Sequence, residues 1–162
     1  MRPEDQQNRP TPTVQAMDDD DGDLTDMLGE LRVLLPTAQL LSAFLIAVPF
    51  APGFKSIVQA EKNVFLATFM LSVAALVLFT APAVRHRLMR PLRRRADFKA
   101  RASRQMLVGA ALLAIALVLA TQFVLSEVLG HTVGNVAAAV IGTLIGLMWL
   151  LVPLTWNRRQ AA

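Results

Sequence analysis

The sequence predicts an all-α integral membrane protein, with four transmembrane helices preceded by a disordered acidic N-terminal tail. Three observations carry this expectation. Of 162 residues, 54% are hydrophobic and 17% charged, where a soluble domain carries about 25% charged residues. The charges crowd into residues 1–32 and 84–104, and the remainder is nearly free of them. That remainder divides into four apolar stretches near the ~20 residues a helix needs to cross a ~30 Å hydrocarbon core. A soluble four-helix bundle would need polar faces that these stretches lack.

Residues 1–23 contain three prolines and the run Asp18–Asp21, with almost no bulky apolar side chains. Such a segment buries too little surface to offset its ordering entropy, and disorder is expected. It is not a signal peptide, which would place a short apolar core directly after a basic start. Within residues 24–32, Leu24, Met27, Leu28 and Leu31 recur at helical spacing, with Asp26 and Glu30 on other faces. That pattern predicts a short amphipathic helix at the interface. The spans are then expected at about 33–50, 64–84, 106–129 and 133–156, forming a four-helix transmembrane domain over 33–156. Pro36 falls in the first turn of the first span, where a missing N–H costs little, and Pro49 and Pro52-Gly53 end it. Pro82 closes the second span and Pro153 interrupts the fourth. Trp149 and Trp156 sit where aromatic rings favour the headgroup level. Residues 85–105 form a basic loop and 157–162 a short tail.

Lysine and arginine placement predicts the orientation. Nine lie between the second and third spans: Arg85, Arg87, Arg90, Arg93, Arg94, Arg95, Lys99, Arg101 and Arg104. With Arg2, Arg9, Arg32, Arg158 and Arg159 they make fourteen on one side, against Lys55 and Lys62 on the other. Cytoplasmic segments carry the excess, so both termini and the basic loop are expected in the cytoplasm of a multi-pass plasma-membrane protein. The nine loop residues also suit anionic lipid headgroups, at ~1 kcal/mol each near the surface. Setting topology and holding lipid are compatible roles. No aromatic platform or known motif accompanies this charge, so a nucleic-acid partner is not expected. The acidic run lies on the same side and, if flexible, could fold onto the loop.

Glu30-Leu31-Arg32, Gln39, Ala43-Phe44-Leu45 and Pro49-Phe50, followed by Ala81-Pro82 and His86-Arg87, together resemble a family of small bacterial four-helix membrane proteins of unknown function. The resemblance covers roughly residues 28–155, with Thr37 standing where a glycine is common. It implies the four-helix architecture. Some members carry a sodium/proton antiporter label by automatic transfer, and no functional residues are implied.

Candidate chemistry is sparse. An ion-driven transporter needs an ionisable group within the membrane, and such groups are functional suspects by default. The spans offer none at mid-depth. The deep polar candidates are Gln39 and Gln122, either interhelical hydrogen-bonding groups or part of a permeation path. Glu127 and His131 stand at the end of the third span, on either side of the helix-ending Gly130. They suit a proton relay or weak cation site, or an ordinary polar helix terminus. Glu30 and Arg32 point to different sides of a helix and do not pair with each other. A Glu30 contact with His86 or Arg87 would join helix ends at one membrane level. Gly130, Gly134, Ala138, Gly142 and Gly146 place a small residue at every fourth position, a packing face serving either this chain or a homodimer seam.

With no cysteine, thiolate metal sites and thiol nucleophiles are excluded. No phosphate loop, zinc motif or nucleophile elbow is present, so no enzyme, metal or cofactor is expected. Two readings remain: an accessory membrane protein acting through helix packing and anionic-lipid contact, or a small cation/proton antiporter.

Overall fold

A computed structural model describes residues 12–88 and 95–151, with side chains described for 29–85, 100–149 and 151. Four helices appear among these residues: α1 Pro12–Ala47, α2 Gln59–Leu88, α3 Arg95–Leu129 and α4 His131–Gly146. Single 3₁₀ turns at Val48–Phe50 and Phe54–Ser56 lead from α1 to α2. A π turn, Leu147–Leu151, extends α4. Pro153 follows it in sequence and cannot donate the helical N–H to the Trp149 carbonyl. Stretches long and apolar enough to cross a membrane run over Gly29–Phe50, Gln59–Arg85, Ala100–Leu129 and His131–Trp149. The four expected spans are therefore all present as helices. The part of the fourth span beyond residue 151, with Trp156, lies outside the described residues, as do the C-terminal tail 157–162, residues 1–11 of the N-terminal tail and residues 89–94 of the basic loop.

Several boundaries differ from expectation. The expected basic loop 85–105 is largely helical, since α2 runs on to Leu88 and α3 begins at Arg95, eleven residues before the expected third span. Residues 12–23, expected to be disordered, belong to the same continuous helix as the first span. Helix propagation adds one hydrogen bond per residue fixed, so an established span extends outward cheaply, and Pro12 opens it with a preset φ. Pro36 consequently sits inside the helix rather than in its first turn. Beside it, the Thr37 hydroxyl donates to the Val33 carbonyl at 3.2 Å, so its side chain is engaged within its own helix. Meanwhile α2 starts at Gln59, five residues before the expected span, which places Glu61 in its first turn.

Helix α3 is the centre of the arrangement. It packs extensively against α2 on one side and α4 on the other, while α1 rests mainly on α2. Burial follows helical spacing. Leu31, Ala38, Ser42 and Leu45 form the inner face of α1, and Thr68, Ser72, Ala75 and Phe79 that of α2. The outward faces stay apolar: Leu40 is 77% and Phe50 84% exposed. In water such surface would drive aggregation, whereas in lipid tails it is solvated.

Small residues set the closest contacts. A Cβ added at Gly109 of α3 would meet the Phe79 ring at 2.7 Å and Leu78 Cβ at 3.3 Å. Phe79, only 1% exposed, fills the space that the glycine leaves. Between α1 and α2 the Ser42 and Ser72 hydroxyls hydrogen-bond at 2.7 Å in a buried position. The Thr68 hydroxyl, fully enclosed, donates to the Val64 carbonyl of its own helix. No buried side-chain polar atom lacks a partner among the described residues.

Replacing Gly109 with valine should force α2 and α3 apart and cost about 1–3 kcal/mol by overpacking. Unfolding in mixed detergent micelles, with Phe79→Ala as a second change that restores space, is the check. The double variant should recover part of the loss.

A polar cluster at the end opposite the arginine-rich segment

Between residues 33 and 84, and again between 105 and 157, the only titratable residues are Lys55, Glu61, Lys62, Glu127 and His131. The fold gathers all five at one end of the bundle, at the α1–α2 connection and the α3–α4 turn. Gly130 makes that turn with φ +96°, a left-handed backbone that a side chain would strain. Its N–H donates to the Ser126 carbonyl, and the Gly134 N–H donates back to the Gly130 carbonyl. Thus α4 begins at once, and His131 is swung toward the start of α2.

Glu61 is where the elements converge. The residue is 9% exposed, and its Oε1 lies 3.5 Å from His131 Nε2. Glu127, exposed, lies in the last turn of α3 at the same end of the bundle. One helical turn deeper, the Phe65 and Phe123 rings pack at a centroid separation of 6.0 Å, and Phe54 meets the Phe65 edge at 5.0 Å. Glu61 and Glu127 each stand one helical turn from this aromatic pair. Lys62 turns away, its Nζ donating to the Lys55 carbonyl.

Beside this pair, Gln122 Nε2 donates to Ser126 Oγ at 3.1 Å and lies 3.5 Å from Asn135 Oδ1 on α4. Gly134 makes the approach possible. A Cβ there would fall on the Ser126 hydroxyl and within 2.8 Å of the Gln122 carbonyl and the Ser126 nitrogen. The small-residue stripe of α4 is thus used within the chain at two points, Gly134 and, by ordinary contact with Val118, Gly142. Ala138 is half-buried between them, and Gly146 faces open space.

The sequence-predicted residues divide accordingly. Glu127, His131 and Gln122 come to this end of the bundle. Gln39 does not join them, because it lies one residue past the buried Ala38 and points outward from α1. Glu30 and Arg32 are both exposed. The side chains of His86, Arg87, Arg90, Arg93, Arg94, Arg95 and Lys99 lie outside the described ones, so the contacts expected of Glu30 with His86 or Arg87 lie there too. Arg85, Arg101 and Arg104 are exposed, at the end of α2 and in the first turns of α3. Glu61 is the residue that sequence reading missed. It sits 66 positions from Glu127 and next to a lysine, which reads as a solvated loop. The signal that could have found it is a carboxylate just ahead of an apolar span, where the helix N-terminus favours negative charge. Among the described residues no three His, Asp or Glu side chains are arranged to hold a metal ion.

Gly134→Ala should separate α4 from α3 and lose the Gln122–Asn135 contact, whereas Gly146→Ala, in open space, should be neutral or gain up to about 1 kcal/mol in helix propensity. Comparing the two in the same unfolding assay tests whether the stripe packs within one chain. Equal effects would speak against it.

No curated protein and no solved structure was found to match this chain. A family of unknown function, DUF6328, matches residues 16–153. With nearly the whole four-helix region inside that match, the chain belongs to the DUF6328 family.

Proposed function

We propose that the protein is an accessory component of the plasma membrane, with no enzymatic activity, acting through helix packing, self-association and contact with anionic lipid. One observation carries this reading, the placement of its deepest polar group. Gln39 stands at the middle of the Gly29–Phe50 span, faces outward, and makes no side-chain hydrogen bond to another described residue. Inside the bundle Ala38, Ala75, Phe79 and Leu113 pack together, and the Ser42 and Ser72 hydroxyls one turn away are engaged with each other. A permeation path would call for the reverse, with polar groups inside and apolar ones out.

An amide in lipid is costly unless it finds a partner. Glutamine both donates and accepts, so two copies related by a two-fold axis satisfy each other. Ala43 and Ala47 continue the exposed stripe at four-residue intervals and leave room for close helix approach. This makes α1, rather than the glycine stripe of α4, the homodimer seam. The arginines at the opposite end supply the lipid contact, with both termini on their cytoplasmic side.

Two experiments test the reading. In bilayers, Gln39→Leu should weaken self-association measured by energy transfer between labelled copies, by about 0.6–2 kcal/mol. An unchanged monomer–dimer balance would remove the seam. Changing Arg85, Arg101 and Arg104 together to glutamine should lower affinity for anionic lipid by about fivefold per residue, at ~1 kcal/mol each. The antiporter alternative rests on the Glu61–Glu127–His131 group, since proton exchange needs titratable side chains at a water-facing mouth. Proteoliposomes under a pH or sodium gradient should show no flux above protein-free vesicles. Flux abolished by Glu127→Gln would establish the antiporter instead.

A further inference from the structure

The Ser42–Ser72 hydrogen bond, at 2.7 Å, sets α1 and α2 at a common depth, and from that level their apolar lengths differ. Toward the arginine-rich end, Arg32 comes ten residues before Ser42, whereas Arg85 comes thirteen after Ser72. At 1.5 Å per residue the first exposed charge of α1 is therefore about 4–5 Å closer to the membrane centre than that of α2. Toward the other end, α1 stops at Ala47 and passes into the 3₁₀ turn Val48–Phe50. The chain after it stays low against α2. Phe54 meets the Phe65 ring, one turn inside Glu61, at 5.0 Å, and Lys62 has to reach for the Lys55 carbonyl. Helix α1 is short at both ends.

The difference is large on the scale of a bilayer. From Arg32 to Ala47 and through the 3₁₀ turn to Phe50, the apolar stretch of α1 covers about 28 Å. Arg85 follows Lys62 by 23 residues, and Glu127 follows Arg104 by 23, so α2 and α3 each cover about 35 Å. A long stretch fits a thinner hydrocarbon core by tilting, but a short one cannot lengthen. Tilting the bundle to suit α2 and α3 shortens the reach of α1 further, since α1 is packed on α2. Arg32 recovers part of the gap by extending its stem outward, and the shorter side chain of Glu30, also exposed, does not. What remains is to thin the surrounding bilayer, or to withdraw the short helix from lipid by association.

The short helix and the seam coincide. Arg32, Gln39, Ala43, Ile46 and Phe50 recur at spacings of seven, four, three and four, and all are exposed. They fall on one face of α1, so both ends of the short stretch lie on the Gln39 side. Pairing two copies along that face removes the thinned lipid from beside it. Given the seam along α1, on which this rests, we propose that bilayer thickness regulates the association of two copies. Thick hydrocarbon favours the dimer and thin hydrocarbon the monomer. Gln39 supplies the contact between copies, and the length of α1 makes that contact answer to the membrane.

The absence of cysteine allows donor and acceptor dyes to be placed at V58C, in the connection before α2. The full chain is reconstituted in phosphatidylcholine vesicles whose hydrocarbon core is about 27 Å or about 33 Å thick, and energy transfer gives the dimer affinity in each. Wild-type affinity should be about tenfold higher in the thicker bilayer. Lengthening α1 should remove that ratio. With E30L and R32L together the next charge along α1 is Asp26, which adds about 9 Å of apolar helix and should bring the two affinities within about twofold. Equal wild-type affinities at the two thicknesses overturn the inference and leave the seam standing. A tenfold ratio that survives in the lengthened variant overturns it as well. No association at either thickness removes the seam and the inference together.

Discussion

Within a bilayer, moving a leucine from lipid tails onto another leucine gains little, because the two surroundings are equally apolar. What holds such helices together is close approach of their backbones and a few hydrogen bonds in a medium that offers no alternative partners. The contacts here obey that constraint. Ala38, Ala75 and Ala116 are wholly enclosed, Gly109 seats the Phe79 ring, and Gly134 lies over Ser126. The large side chains point mostly outward. A soluble bundle would be built the other way round, with the leucines inside and the alanines wherever they fell.

That constraint also explains the central place of α3. It presents Gly109 to one neighbour and the Gln122–Ser126 pair to another, so it meets both α2 and α4 closely. Helix α1 has one close partner and leaves a wide face to the lipid. The polar side chains sort by the same logic. Ser42, Ser72 and Thr68 are satisfied within the bundle, and the amide of Gln39 has only the membrane or another protein to turn to.

Much of this was legible in the sequence. Four charge-free stretches of the right length specify four helices, and Gly130 announces the break between the last two. The limits of the reading were physical. Period and composition locate a span but not the rotation of the helix about its axis. Gln39 and Ala38 were therefore indistinguishable as inward or outward until α1 had neighbours. The Glu61–His131 contact joins residues far apart in the chain, and nothing local to either predicts it. The start of α1 escaped for a different reason. An acidic, proline-containing tail reads as disorder when taken alone, but α1 carries its start from a helix already nucleated in the membrane.

The continuity of α1 has a geometric consequence. At 1.5 Å per residue, the stretch from Pro12 to Gly29 projects about 25 Å along the helix axis beyond the start of the span. The backbone that carries Asp18–Asp21 lies about 12–17 Å out along that rod, so the acidic run belongs to the same continuous helix as the first span and is not a separate tail.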